Sequence, residues 1–166
     1  MMAEHRLPPY GGPVLVGLGT LAAAWITGAV MSEARPVRLV YNTGISFGML
    51  ATHPAAATGL EVLGLAGLAV LAVYARRLRF PIAVVLGGGL ANLLVRLTTG
   101  HIVDYWHVPP YPYWFNLADV FIRIGLLALV VVWLRGHGAE RAPSAKTPRD
   151  RARNGPNAVN PADRGE

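Results

Sequence analysis

Two aspartates near the middle of the chain, Asp104 and Asp119, are the residues best suited to chemistry. Each lies at the edge of a long apolar segment, and a loop rich in proline and aromatic residues joins them. Two carboxylates about 3 Å apart cannot both ionise, so such a pair shares one proton. The ionised carboxylate can take a proton from water while the protonated one polarises a carbonyl, which favours acyl hydrolysis. The alternative is that Asp104 caps a loop and Asp119 pairs with Arg123, one helical turn further on.

Other polar residues in or near the apolar segments are candidates for supporting roles. Asn42, Asn92 and Asn116 could orient substrate carbonyls or the two acids, or could cap turns and helices. Arg96 could pair with an acid, hold a lipid phosphate or extend to the membrane interface. Glu61 could be a third acid of the site, but the favoured interpretation is that it pairs with an arginine or is protonated.

We predict no metal and no cofactor. His101 and His107 flank Asp104, but that loop offers fewer ligands than a metal site needs. The chain has no cysteine, which excludes disulfides, thiol nucleophiles and Cys-ligated metals. The loop also holds an aromatic cluster, typical of a membrane-interface belt or a grip on an acyl chain. Its members are Tyr105, Trp106, Tyr111, Tyr113 and Trp114.

The composition indicates a membrane protein. Of the 166 residues, 53% are hydrophobic and 14% charged, whereas a soluble domain carries about 25% charged residues. The net charge of +6 could suggest a nucleic-acid partner. Most basic residues, however, lie beside apolar spans and in the C-terminal tail, as topology signals do, so we predict no nucleic-acid binding.

Four apolar segments are long enough to cross a bilayer as helices. The first is longer than the apolar region of a usual signal peptide, so we interpret it as a span. The predicted spans are Val14–Met31, Ala55–Ala75, Pro81–Leu97 and Phe115–Leu134. Gly64 and Gly67 in the second span are predicted to permit close helix approach. Val37–Tyr41 is predicted as a short strand followed by a turn.

The basic residues predict the orientation of the chain in the membrane. Arg76, Arg77, Arg79 and the tail carry most of the positive charge near span ends, so both termini are predicted to be cytoplasmic. The two longer loops then face outward, and both acids fall at the outer interface. The fold class is an all-α membrane protein with a small extracytoplasmic β-like region. A domain of residues 1–135 precedes a disordered basic tail of residues 136–166.

Three ordered motifs make the chain similar to the lipoprotein signal peptidases, the type II signal peptidases of bacteria. NTGISFG at Asn42–Gly48 resembles the family loop N-x-G-x-x-F-G. GGGLANLLVRLTTGHIVDY at Gly87–Tyr105 resembles G-x-x-x-N-x-x-D-R-x-x-x-G-x-V-x-D-F. FNLADVFIRIG at Phe115–Gly125 is similar to F-N-x-A-D-x-x-I-x-x-G. The chain departs from the family at residues 24–28, where D-Q-x-S/T-K is expected, and at Val95, where an aspartate is expected.

The resemblance implies an aspartic protease of the bacterial cytoplasmic membrane with its active site at the outer leaflet. Its substrate would be a lipid-modified prolipoprotein, cut before the diacylglyceryl-modified cysteine, and membrane lipids would be further partners. By position, Asp104 and Asp119 match the catalytic pair, and the substrate-binding positions match Asn42, Asn92, Arg96, Asn116 and Ala118. An inactive paralogue that binds lipoproteins or assists a membrane complex is the alternative. A small transport component with its charges strung through the membrane is a third.

Overall fold

The structure, a computed structural model, describes residues 9–34, 38–45 and 48–140, with side chains described as far as residue 136. Within that part of the chain, four helices are long and apolar enough to cross a membrane, so the predicted fold class is confirmed. In chain order the elements are α1 (Gly11–Glu33), β1 (Val40–Asn42), α2 (Pro54–Tyr74), a 3₁₀ turn (Arg76–Leu78), α3 (Arg79–Thr99), β2 (Ile102–Asp104) and α4 (Leu117–Glu140).

The helix bounds follow the apolar segments closely, except at the end of α4. That helix continues to Glu140, beyond the predicted end of the span at Leu134. The predicted tail from residue 136 therefore begins inside α4, and its residues 141–166 lie outside the described residues. Large apolar side chains cover the outer faces of the helices: Leu63, Leu97 and Leu127 are 70%, 65% and 66% exposed. Such a surface needs lipid rather than water around it.

Helix α3 is the element on which the other three helices pack. Its successive glycines Gly87, Gly88 and Gly89 point about 100° apart around the helix axis. A Cβ at Gly87 would overlap Thr20 of α1, and one at Gly89 would meet Leu65 of α2. A Cβ at Gly88 would lie 2.6 Å from the carbonyl oxygen of Ala118 in α4. Each glycine therefore allows a different helix to approach α3 closely, as small residues do in membrane helix packing.

The predicted close approach at Gly64 and Gly67 is wrong. A Cβ at either glycine would have no described neighbour within 4 Å. The second span instead meets α3 through Leu65, which fills the space left by Gly89. Hydropathy could not separate the two cases, because a glycine in a span can face a helix, a cavity or lipid.

Arg79 holds three helices together at the end of the molecule opposite the two acids. It is buried, and its guanidinium donates to the carbonyl oxygens of Ala72 at 2.9 Å and Val73 at 3.1 Å, near the end of α2. It also donates to the Tyr10 hydroxyl at 2.9 Å, beside the start of α1. Free carbonyls at a helix C-terminus favour such a cation. Arg79 is thus a packing residue as well as part of the basic hinge.

Two short antiparallel strands form the β region next to the acids. β1 pairs with β2 in a register that places Val40 opposite Asp104 and Asn42 opposite Ile102. The predicted strand at Val37–Tyr41 is therefore shifted towards the C-terminus, and Val37 lies outside the described residues. The turn after β1 is closed by the Gly44 N–H, which donates to Asn42 Oδ1 at 2.9 Å. This side-chain turn fixes the orientation of Asn42.

Candidate active site

The two aspartates lie at the same end of the helices, although different elements carry them. Asp104 is the last residue of β2, which follows α3, and Asp119 lies in the first turn of α4. Both line one cavity of about 500 Å³. The folded chain therefore brings the two predicted acids to a single site, as expected from antiparallel spans.

Asn116 connects the two carboxylates. Its side-chain Nδ2 donates to Asp104 Oδ1 at 2.8 Å, and its backbone N–H donates to Asp119 Oδ2 at 3.2 Å. In return the Asp119 N–H donates to Asn116 Oδ1 at 3.1 Å. This reciprocal pattern is a capping box at the start of α4, in which Asn116 is the N-cap residue and Asp119 the third residue of the helix. The same hydrogen bonds that begin the helix thus position the acid.

Two more asparagines give each carboxylate a second donor. Asn92 Nδ2 donates to Asp119 Oδ1 at 3.0 Å, and Asn42 Nδ2 donates to Asp104 Oδ2 at 3.3 Å. Asn92 also accepts a hydrogen bond from Asn116 Nδ2 at 3.2 Å through its Oδ1 atom. The two acids and three asparagines form one connected network. Their orientations are fixed before any substrate enters, which is the arrangement that catalysis requires.

Burial increases the proton affinity of Asp104. Asp104 is only 3% exposed. Its burial, and to a lesser extent the charge of the neighbouring Asp119, raises the pKa of Asp104 from 3.8 to about 6. Hydrogen bonds from Asn42 and Asn116 act in the opposite direction but are outweighed. An acid with a pKa near neutrality can exchange a proton during a reaction.

Arg96 and Glu61 form the other polar group of the cavity. The Arg96 guanidinium donates from Nη2 to the Gly44 carbonyl, and its Nη1 lies 3.5 Å from Glu61 Oε2. The prediction that Glu61 pairs with an arginine is confirmed. Because Gly44 also closes the Asn42 turn, Arg96 links α3 to the loop that carries one of the asparagines.

The aromatic cluster divides between the cavity and the surface. Tyr113 and Trp114 line the cavity. The guanidinium of Arg123 lies over two other rings, with its Cζ atom 5.5 Å from the ring centroid of Tyr111 and 5.3 Å from that of Phe115. His101 and His107 pack against aromatic rings. Among the described side chains, no group of three or more metal-ligating residues comes together.

Tyr105 has a role that the sequence did not indicate. It is buried, and its hydroxyl oxygen accepts a hydrogen bond from the Leu117 N–H at 3.0 Å. The Leu117 N–H is one of the free donors at the start of α4, so Tyr105 supports the helix end that carries Asp119. The one feature of the sequence that could have indicated this role is its position directly after Asp104. The sequence predicts a position in the interface belt for it, or a contact with an acyl chain.

A sequence comparison decides the family. The profile of the Signal peptidase (SPase) II family matches residues 18–135, which include all of the site residues described above. The chain belongs to the signal peptidase II family. The family is one of peptidases, so the chain is classed with the membrane proteases, which are hydrolases.

Individual relatives agree with the signal peptidase II assignment. The chain is 37% identical over 118 residues to the lipoprotein signal peptidase of Mesorhizobium japonicum, covering 65% of this chain and 68% of that protein. It is 36% identical over 115 residues to the lipoprotein signal peptidase of Burkholderia ambifaria, covering 58% of this chain and 64% of that protein. The chain thus spans about two thirds of the length of these relatives.

Solved structures share the fold. A bacterial membrane enzyme determined by the in meso method at 2.3 Å resolution superposes with a TM-score of 0.68 at 19% identity, covering 81% of this chain and 94% of that one. A second, determined at 1.9 Å resolution, gives a TM-score of 0.62 at 21% identity and covers 75% and 92%. The four-helix arrangement with its small sheet is therefore a known membrane-enzyme fold.

The departures from the signal peptidase II pattern gather in a second cavity of about 210 Å³ between α1 and α3. Gly28 and Val95, which replace the lysine and the aspartate of the pattern, both line it. Ala118, matched by resemblance to a substrate-binding position, also lines this second cavity and packs with Ala24. The remaining matched positions surround the cavity with the two acids or hydrogen-bond to them. The lost charged residues thus lie behind the acid–asparagine network.

Proposed function

We propose that this chain is a membrane aspartic endopeptidase that removes signal peptides from diacylglyceryl-modified prolipoproteins, cutting before the lipidated cysteine. The observation that supports it most is that Asp104 and Asp119 share one cavity and one hydrogen-bond partner, Asn116. The substrate class is taken from the relatives, which are named lipoprotein signal peptidases.

In the proposed reaction the two acids hold one proton between them, with a water molecule bound beside both. The ionised carboxylate takes a proton from the water as its oxygen attacks the carbonyl carbon that precedes the cysteine. The protonated carboxyl donates to the carbonyl oxygen. When the tetrahedral intermediate collapses, the C–N bond breaks and the cysteine nitrogen receives a proton. The pair titrates as a unit, so either aspartate can act as the acid.

The asparagines and the arginine are proposed to hold both the acids and the substrate. Asn42 and Asn92 each donate one Nδ2–H to a carboxylate, so the other can bind the peptide beside the cut bond. Both Nδ2–H groups of Asn116 are used within the network, so its proposed part is to hold the acids in place for the substrate. Arg96 can donate to a substrate carbonyl. The proposed substrate-binding positions are Asn42, Asn92, Arg96, Asn116 and Ala118.

The membrane supplies the substrate's route to the acids. Away from the acids the cavity is lined by apolar residues of α2 and α4, such as Leu65, Leu68 and Ile122. Acyl chains and an apolar signal peptide could stay among them and in lipid while the peptide bond reaches the polar end. By the distribution of basic residues, that end lies at the outer leaflet of the cytoplasmic membrane, with both termini in the cytoplasm.

The test is cleavage of a diacylglyceryl-modified prolipoprotein by the purified full-length protein in lipid. Asp104→Asn and Asp119→Asn should each abolish cleavage, because neither variant can both hold a proton and accept one. The matched control is Glu33→Gln, which removes an exposed acid at the end of α1 and should cleave as the wild type does. Cleavage that persists in both aspartate variants would refute the proposal.

A binding protein that has lost catalysis is the second candidate, and the departures at Gly28 and Val95 are the observation that favours it. Because these departures lie behind Asn92 and Asn116, they leave the hydrogen bonds to both acids in place. The same assay separates the two functions. A wild-type protein that binds the lipidated substrate without cutting it would support the binding role.

A further inference from the structure

Arg123 of α4 is a cation in the cavity wall that stands apart from the acid–asparagine network. It is exposed and lines the cavity that holds the two aspartates. Within the described residues it makes no ion pair with Asp119, the partner considered from the sequence, and its one hydrogen bond is a donation to the Tyr111 hydroxyl at 3.4 Å. A guanidinium carries several N–H donors, so most of those of Arg123 are available to an occupant of the cavity.

Two aromatic rings hold the Arg123 guanidinium in place. Its Cζ atom lies 5.5 Å from the ring centroid of Tyr111 and 5.3 Å from that of Phe115. Attraction to a ring positions a guanidinium without giving its N–H groups an oxygen acceptor. A cation within a membrane span is costly and marks a functional site by default. Arg123 is therefore a positioned donor that lacks a matching acceptor among the described residues.

The order of residues along α4 indicates which acceptor fits. Asp119 lies in the first turn, Arg123 lies one turn further, about 6 Å along the axis, and Leu126 follows on the same cavity wall. The wall thus changes from acidic to cationic to apolar along the helix. A diacylglyceryl-modified peptide changes in a corresponding order, from the peptide bond through the glyceryl ester groups to the acyl chains. Its ester carbonyls are the acceptors that correspond to Arg123.

We propose that Arg123 selects the diacylglyceryl-modified substrate by donating a hydrogen bond to one of its ester carbonyl oxygens. The proposal rests on the proposed peptidase function and names a residue that recognises the lipid part of the substrate. Arg123 falls on an unspecified position of the F-N-x-A-D-x-x-I-x-x-G pattern, so the resemblance assigns it no role.

Two indirect roles of Arg123 give a different expectation. One is to hold the loop through Tyr111 and Phe115, and the other is to act through its charge on Asp104. Either role would change the binding of every substrate to the same extent, whatever links the acyl chains to the glycerol. Direct recognition instead predicts that ester-linked and ether-linked chains differ, since an ether has no carbonyl oxygen.

The experiment compares two fluorescent lipidated signal peptides for binding to the full-length Asp104→Asn protein in nanodiscs of ether-linked phosphatidylcholine. One peptide carries ester-linked chains on its cysteine, and the other carries ether-linked chains of the same length. The first peptide is then the sole source of lipid ester carbonyls. We expect it to bind about tenfold more tightly, as a hydrogen bond to a charged group allows. Adding Arg123→Met should reduce this ratio to about one, and Arg123→Lys should retain part of it.

The matched control is Arg77→Met, which removes an exposed arginine from the 3₁₀ turn at the opposite end of the molecule and should keep the tenfold ratio. Equal binding of the two peptides to the parent protein would overturn the proposal even if Arg123→Met fails to fold. No measurable binding of either peptide, or the same ratio with and without Arg123, would also overturn it.

The binding assay separates this proposal from the proposed function, because it needs no cleavage. A preference for the ester-linked peptide that disappears in Arg123→Met supports recognition by Arg123 whether or not the wild type cleaves. Failure of the wild type to cleave bears on the proposed function instead.

Discussion

Replacing Asp104 with asparagine should abolish cleavage and remove the pH dependence of stability that the buried carboxyl causes. Burial and the Asp119 charge raise the pKa of Asp104 from 3.8 to about 6. Since a tenfold change in proton affinity is about 1.4 kcal/mol, ionising Asp104 costs about 3 kcal/mol more in the folded protein than in the unfolded chain. Asparagine has a similar shape and remains uncharged.

The sign of the pH dependence follows from this raised pKa. Because the folded protein binds the Asp104 proton more tightly than the unfolded chain, its contribution to stability is complete below about pH 4. It is lost as the pH rises through about 6. Between pH 4 and pH 8, the free energy of unfolding of the wild type should therefore fall by about 2.4 kcal/mol relative to Asp104→Asn, because an unfolded aspartate is already more than half ionised at pH 4.

The assay is reversible denaturation of both proteins in the same detergent micelles across that pH range. Titration of the groups other than Asp119 is common to the two proteins and cancels in the difference to a first approximation. Because Asp119 is coupled to Asp104, the difference reports the titration of the pair. The control Glu33→Gln removes a carboxylate that is exposed at the end of α1, and its curve should follow that of the wild type. A constant difference between wild type and Asp104→Asn from pH 4 to pH 8 would refute the reasoning.

Three further predictions concern the pH profile, the helix cap and the helix packing. The kcat/KM of cleavage should decline above about pH 6, because the aspartate pair must hold one proton; a rate still rising at pH 8 would contradict this. Asn116→Ser should change the stability that the N-cap gives α4 by no more than about 0.5 kcal/mol, because serine also caps helices. It should lower kcat about 100-fold, because the Nδ2 donor to Asp104 is lost. An unchanged kcat would argue against a catalytic role for that donor. Gly88→Ala should destabilise the protein by about 1–3 kcal/mol, as overpacking does, because its Cβ would overlap the Ala118 carbonyl oxygen. Gly59→Ala is the control, since a Cβ there has no described neighbour within 4 Å. It should be neutral or stabilise the protein by up to about 1 kcal/mol. Equal denaturation curves for the two alanine variants would exclude this packing role.

Much of the site's location could be predicted from hydropathy and charge along the chain. Four spans joined by short loops must alternate in direction, so the end of the third and the start of the fourth meet at one side. Asp104 and Asp119 stand at those two points, and the structure places both in one cavity. An arginine partner for Glu61 was one of the predicted alternatives, since an acid inside a span needs a cation or a proton, and the structure identifies that arginine as Arg96.

The hydrogen-bond partners could not be predicted in the same way. Which asparagine donates to which carboxylate depends on how far each helix is rotated and shifted against its neighbours, and hydropathy is unchanged by those motions. The capping box of Asn116 and Asp119 is a local pattern, but its bond to Asp104 crosses to another element. Tyr105 was missed because an aromatic residue near a span end has the same signal whether it faces lipid or a helix terminus.

The sequence by itself determined that this chain crosses a membrane four times and carries two acids at one end of its spans, because length and apolarity act residue by residue. Only the tertiary structure decided which glycine admits which helix, and that Arg96 lies between Gly44 and Glu61. Those outcomes depend on side chains from separate helices competing for the same small volume around α3. Such competition has no counterpart in the linear order of residues.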